Sequence, residues 1–203
     1  MTPIDLEREC DKAARAIRNS PQFYPAGTEP EASQLLNLIA AMMPNCRHML
    51  EIGVDKGFTT CHLIKASARN GSKVWAIDIC DRRHQALLNL WKWHRFIRGD
   101  SVDVLREWNP ANRIGFVFVD GRHEADHVGM ELDLLLPLLD ERESVVAVHD
   151  TLLFPKIHAF VEDWSSANGF ERITIHTANV KEKRCDSTGL TVCHRSRPKN
   201  LVD

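Results

Sequence analysis

The segment His48-Met-Leu-Glu-Ile-Gly-Val-Asp-Lys-Gly-Phe-Thr-Thr60 decides how the rest of the chain is read. A β-favouring run, His48–Ile52, breaks into a turn flanked by Gly53 and Gly57 and passes into a helix. Glycine in such a turn lets the backbone approach a ligand closely and lets helix pack on strand. The spacing is G-x-x-x-G, whereas a dinucleotide fold prefers G-x-G-x-x-G to cradle a pyrophosphate on the helix N-terminus. Glu51 before the turn and Asp55 inside it would repel a pyrophosphate and suit a cationic or hydroxyl-bearing ligand. Taken alone, the glycine pair is equally compatible with tight packing.

Outward from this turn, strand-like and helical periodicities alternate. The β-favouring runs Lys73–Asp78, Arg95–Gly99, Ile114–Asp120 and Ser144–His149 follow, separated by helical stretches that include Arg82–Trp93 and Glu124–Leu139. In the latter, Val128, Leu132, Leu135, Leu136 and Leu139 share one face. Such βαβ alternation indicates a parallel sheet covered on both faces. Upstream, Ile4, Leu6, Cys10, Ala14 and Ile17 mark one helix, followed by a Pro- and Gly-containing loop, Asn19–Thr28. Leu35, Leu36, Ile39, Met42 and Met43 mark a second helix, stopped near Pro44. Downstream, a helix carrying Ile157, Phe160, Val161 and Trp164 precedes Glu171–Thr177 and Gly189–His194, which read as an antiparallel pair. The polar connection between them, Ala178–Thr188, holds Lys181, Lys183 and Arg184 and reads as a solvated loop.

Composition sets the outer limits. At 203 residues, 43% apolar and 27% charged, the chain is of one-domain size and able to bury roughly 70% of its unfolded surface. A net charge of −2 gives no reason to expect nucleic acid or an acidic membrane as a partner. The longest apolar runs, Val145–Val148 and Leu134–Leu139, fall far short of the roughly 18 residues a membrane span needs. Residues 1–11 carry four acidic side chains and no apolar core of a signal peptide, and the six cysteines include no C-x-x-C pair. Reduced thiols in a cytoplasmic protein are therefore expected.

Ligands of open α/β sheets bind at the carboxyl ends of the strands. The first run ends in Glu51-Ile-Gly-Val-Asp-Lys-Gly57, the second in Asp78, the third in Gly99-Asp-Ser101, the fourth in Asp120-Gly-Arg-His123 and the fifth in His149-Asp150. Five strands each deliver an acidic or small polar group to one rim. Asp78 is placed to accept the hydroxyls of a ribose, or to cap the helix near Arg82. Asp100 and Ser101 are placed to contact an adenine edge, or to cap the next helix. A ribose reader without a phosphate cradle points to a nucleoside cofactor lacking phosphates, and S-adenosylmethionine fits.

With these residues in view, the chain resembles class I S-adenosylmethionine-dependent methyltransferases. It is most similar to the metal-dependent O-methyltransferases of the catechol and caffeoyl-CoA kind and their bacterial relatives acting on sugars. "EPEASQLLNLIAAMM" running into "MLEIGVDKGFTT", then "KVWAIDI", "RGDSVDVL", "FVFVDGRHEADHV" and "VVAVHDT", follow in that family's order over residues 28 to 195 or so. The resemblance implies a Rossmann-like α/β fold with a seven-stranded, mostly parallel sheet, an antiparallel last strand and helices on both faces. It implies one domain: residues 1–45 as a helical cover, 46–195 as the core and 196–203 as a tail. Glu51, Gly53 and Gly57 would shape the cofactor pocket, with Asp55 and Thr59 by the methionine end. Asp78 would hold the ribose, and Asp100 and Ser101 the adenine. Asp120, His149 and Asp150 occupy the metal-ligand positions, Asp120 also bordering the cofactor. His123 matches the general base proposed for the sugar-modifying relatives.

One departure bears on the metal. The His149 position more often carries a carboxylate in the family, and two carboxylates with an imidazole are softer than three oxygen ligands. Mg²⁺ or Mn²⁺ is expected, with Fe²⁺ or Zn²⁺ as competitors. The implied reaction is methyl transfer to a hydroxyl of a small polyhydroxylated, sugar-like or phenolic acceptor, with a homodimer as the implied assembly. Two other readings stand beside it. One is an adenosylmethionine-binding protein that is catalytically silent or works without metal. The other is a zinc hydrolase, since His123-Glu-Ala-Asp-His127 spells H-E-x-x-H, a motif that needs both histidines on one helix face.

Overall fold

The computed structural model describes residues 1–20, 30–109, 111–176 and 188–196. Its strands are β1 (His48–Ile52), β2 (Lys73–Asp78), β3 (His94–Arg98), β4 (Phe116–Val119), β5 (Glu143–His149), β6 (Glu171–Ile175) and β7 (Leu190–Ser196). They form one sheet in the order β3-β2-β1-β4-β5-β7-β6. The first five are parallel, and β7 runs antiparallel to both of its neighbours, β5 and β6. This is the expected Rossmann-like fold. Strand order reverses between β1 and β4, which opens the crevice where such sheets place their ligands.

Burial follows from sequence on each layer. All five residues of β1 and all four of β4 are buried, as a sheet covered on both faces requires. On one face Met49, Phe116, Phe118 and Ala147 pack under α1 (Pro3–Arg18), α2 (Pro30–Ala41) and α3 (Phe58–Asn70). On the other face Leu50, Val117 and Val146 pack under α6 (Ala125–Leu135) and α7 (Pro155–Ala167), with α5 (Ser101–Arg106) beside them. The first helix starts on a capping box in which Thr2 and Asp5 satisfy each other's backbone, and buries Leu6, Cys10 and Ile17 at helical spacing. It is tied to α3 by Asp11–Lys65 at 2.7 Å and Glu7–Arg69 at 3.0 Å.

Several boundaries differ from the sequence reading. The helix expected over Arg82–Trp93 shrinks to α4 (Gln85–Leu88), capped by His84, after which i→i+3 turns lead into β3. Asn89, Trp91 and Trp93 are poor helix formers, and that stretch leaves the helix accordingly. The strand expected at Arg95–Gly99 begins one residue earlier. Of Ile114–Asp120 only Phe116–Val119 is strand, with Ile114 making an isolated bridge to Leu139. The helix expected to Leu139 ends at Leu135 and tightens into a 3₁₀ turn, Leu136–Leu138, because Pro137 has no N–H to continue the ladder. The antiparallel end pair is present as β6 and β7. Most of the Asn19–Thr28 and Ala178–Thr188 connections, with Lys181, Lys183, Arg184 and Cys185, lies outside the described residues. The other five cysteines are free, and only Cys80 is not fully buried.

Candidate active site

A cavity of about 720 Å³ opens at the carboxyl ends of the parallel strands. Glu51, Gly53, Asp55, Thr59, Asp78, Asp100, Ser101, Asp120 and His123 all line it, as expected of a shared site. Gly57 does not. It takes φ +84° at the start of α3, where a Cβ would collide with Leu87, so it serves helix packing. Gly53 carries the close approach: at φ +88° its position holds no Cβ, and one built there would strike the Asp120 carbonyl. The β1 and β4 ends meet at that contact, and its N–H donates to Ile77 at 2.9 Å.

Asp78 stiffens the same turn. Its Oδ2 accepts from the Val54 and Asp55 backbone N–H groups at 2.8 and 2.9 Å, while Oδ1 accepts from Cys80 N–H at 2.9 Å. It therefore clamps the β1 turn rather than capping a helix near Arg82. Asp100 does act as the N-cap of α5, accepting from Val102 N–H at 2.9 Å. Glu51 lies fully buried and accepts a hydrogen bond from Thr60 Oγ1; burial pushes its carboxyl up to about 8. Thr59 is held by a contact the sequence did not reveal, a 3.0 Å hydrogen bond between its hydroxyl and that of Ser33 on α2. Asn37 Nδ2 adds a 2.7 Å bond to the His62 carbonyl, so the second helix of the cover is anchored to the first turns of α3.

At the neighbouring strand ends the predicted metal-ligand positions converge. His149 Nδ1 lies 3.1 Å from Asp120 Oδ1 and 3.2 Å from Asp150 Oδ1, and one ligand atom from each residue falls within 4.8 Å of the others. His149 and Asp150 are buried. Asp150 sits at φ +56°, a left-handed conformation that Asp tolerates better than most residues and that aims its carboxylate back toward His149. Two carboxylates and an imidazole fit a divalent cation by donor chemistry.

His123 joins the two parts. Its Nε2 stands 3.0 Å from Asp150 Oδ2 and 3.6 Å from Asp120 Oδ1, and the Phe154 ring stacks on its face with centroids 4.9 Å apart. Donating to the Asp120 and Asp150 carboxylates stabilises its protonated form and raises its pKa to about 9. Its neighbour in the H-E-x-x-H string goes elsewhere. The helix begins only at Ala125, so His123 is in the preceding loop, while His127 turns into α6's buried side beside Ser101 and Glu131. The two histidines do not share a helix face, which removes the basis of the zinc-hydrolase reading. The Ser101–His127–Glu131 grouping is not legible in the sequence, because Ser101 lies 26 and 30 residues from its two partners.

Comparison with known proteins gives the family and the fold. A family model described as a methyltransferase domain matches residues 50–151, from the first strand to the residue after Asp150. The chain belongs to this methyltransferase family. No curated protein matches it in sequence. Among solved structures, an O-methyltransferase from Bacillus cereus in complex with SAH superposes with a TM-score of 0.69 at 15% identity, covering 94% of this chain and 91% of that one. TomG, an O-methyltransferase of tomaymycin synthesis from Streptomyces achromogenes in complex with SAM, gives 0.72 at 20% identity over 93% and 90%. The SAH-bound methyltransferase PaMTH1 from Podospora anserina gives 0.65 at 12% identity over 94% and 88%. At such identities the likeness establishes the fold. The family match and the fold both agree with the resemblance drawn from the motifs. No helix among the described residues is long and apolar enough to cross a membrane.

Proposed function

We propose that this protein is an S-adenosylmethionine-dependent O-methyltransferase that uses a divalent cation and acts on a hydroxyl of a small polyhydroxylated, sugar-like or phenolic acceptor. The observation that carries the proposal is the position of His123, which lines the cavity and also contacts two of the three candidate ligands. In this reading Asp78 receives the ribose hydroxyls, Asp100 and Ser101 meet the adenine, and Glu51, Gly53, Asp55 and Thr59 surround the methionine end. Asp120, His149 and Asp150 hold the cation, which when bound would chelate two adjacent acceptor hydroxyls and lower their pKa.

The protein's own contribution is placement and proton handling. An oxygen lone pair attacks the methyl carbon as the carbon–sulfur bond breaks, leaving S-adenosylhomocysteine, and most of the acceleration comes from holding the two reactants in line. The hydroxyl proton goes to His123, at the boundary between the two halves of the site. The Asp120 and Asp150 carboxylates favour the protonated imidazole, and a cation held by those same residues would offset their charge and favour the neutral, proton-accepting form. The Phe154 ring fixes its plane. The five free thiols suit a reducing cytoplasm as the place of action.

Calorimetry tests the reading. S-adenosylhomocysteine should bind one equivalent, and Mn²⁺ should bind in a manner abolished by Asp150→Ala. Cofactor binding with no cation binding would leave an adenosylmethionine protein without the metal mechanism. Failure of S-adenosylhomocysteine to bind would end the whole proposal.

A further inference from the structure

Ser101 has a place at the adenine in the reading above, but its buried partners His127 and Glu131 have no part in that chemistry. Glu131 is fully buried on the helix that also buries Val128, Leu132 and Leu135, and its Oε2 has no hydrogen-bond partner among the described residues. An unsatisfied buried carboxylate oxygen costs about 1–3 kcal/mol or more, so a leucine would serve packing better. The other oxygen, Oε1, accepts the Ser101 hydroxyl and lies 3.3 Å from His127 Nε2, which is itself 3.1 Å from Ser101 Oγ. A Cβ built on Gly121, in the loop after β4, would come 3.9 Å from the same Oε1, which places the cluster directly behind the cavity wall. Ser101 and His127 both line that cavity.

A serine hydroxyl offers one O–H and two lone pairs. Here the O–H goes to Glu131 Oε1. His127 Nε2 then faces two acceptors, Ser101 Oγ and Glu131 Oε1, so the tautomer that satisfies the cluster carries its proton on Nε2 and donates to a serine lone pair. What is left for the cavity is the second lone pair, an acceptor only. We infer that the buried His127–Glu131 pair fixes Ser101 as an obligate hydrogen-bond acceptor, which selects a purine bearing a 6-amino group over one bearing a 6-oxo group. The inference rests on the cofactor reading above, with Ser101 at the base-binding end. A 6-amino group donates to Ser101, whereas a 6-oxo group would set two acceptors face to face. His127 and Glu131 are thus positioning residues acting through Ser101.

The test compares S-adenosylhomocysteine with S-inosylhomocysteine, its 6-oxo analogue, by calorimetry on the full chain. The native protein should prefer the adenosyl compound by at least about tenfold, the scale of one hydrogen bond gained against one acceptor clash. Ser101→Ala should bring the two to near parity by weakening the adenosyl compound alone. Glu131→Met, which frees the hydroxyl to rotate and donate, should also collapse the preference. Glu131→Gln, whose amide oxygen still accepts at the Oε1 position, should keep it; a merely structural role for Glu131 would not separate Gln from Met in this ratio. If Glu131→Met does not fold, Ser101→Ala and Glu131→Gln decide. Equal native affinity for the two ligands, or an undiminished preference in Ser101→Ala, overturns the inference and leaves the cofactor reading standing. Binding of neither ligand by the native protein overturns both.

Discussion

His123 Nε2 stands 3.0 Å from Asp150 Oδ2, and this one contact ties the loop after β4 to the turn after β5. The imidazole has its edge on carboxylates and its face on Phe154, so its orientation is fixed from two directions. In the proposed reaction, a group so placed would receive the proton of the acceptor hydroxyl.

Removing it should therefore strike turnover and not cofactor binding. His123→Ala is expected to lower kcat by roughly 10²- to 10⁴-fold, the usual share of a general base, with KM for S-adenosylmethionine nearly unchanged. Steady-state kinetics with any hydroxylated acceptor that turns over supplies the check. An unchanged kcat would remove His123 from the proton path.

The Gly53 position tolerates no side chain. Gly53→Ala combines a φ of +88° with a collision against the Asp120 carbonyl, so a loss on the order of 2–4 kcal/mol is expected in urea unfolding. Affinity for S-adenosylhomocysteine should fall with it, because the β1 and β4 ends are pushed apart. Gly71→Ala is the control: it has a φ of +75° but open space around it, so it should lose only the smaller backbone cost of about 1 kcal/mol.

Asp78 accepts from three backbone N–H groups with its two oxygens. In Asp78→Asn one side of the amide must face N–H donors with an NH₂ group. Stability should drop by about 1–3 kcal/mol, and the affinity for S-adenosylhomocysteine should weaken at least about tenfold, both readable from calorimetry and denaturation. Full affinity in the variant would contradict its place at the ribose.

Glu51 gives a pH signature. Its ordinary pKa of 4.5 rises to about 8 in the fold, so between these values the folded state holds one proton more than the unfolded chain. Its contribution is therefore intact below the lower value and lost as pH rises toward the upper one. Glu51→Gln cannot ionise and escapes that loss. Its melting temperature, compared with native, should gain by at least about 2–4 °C on going from pH 5 to pH 8. A difference that does not change with pH would mean that Glu51 is ionised in the fold.

Much of this architecture was legible because its signals are local. Strand and helix periods alternate along the chain, and each strand's final residue is adjacent in sequence to the strand that carries it; Asp78, Asp120 and His149-Asp150 could be named on that basis. Relations that depend on distant segments were not legible. Nothing in Ser101 announces Glu131, thirty residues on, although the polar pair His127 and Glu131 at i, i+4 beside an apolar face was a usable hint. The hydroxyl contact of Ser33 with Thr59 is likewise a product of packing between α2 and α3. The helix expected over Arg82–Trp93 covers only Gln85–Leu88, because Asn89, Trp91 and Trp93 have weak helix propensity and the chain turns toward β3.

The central claim is methyl transfer to a hydroxyl supported by a cation at Asp120, His149 and Asp150. The most direct measurement is transfer of an isotope-labelled methyl group from S-adenosylmethionine to a panel of vicinal diols and catechols, run with Mn²⁺ or Mg²⁺ and again with a chelator. Labelled ether product that needs the cation and disappears in Asp150→Ala is the expected result. Transfer at an equal rate under chelation, or no transfer to any hydroxyl by protein that binds S-adenosylhomocysteine, would contradict it.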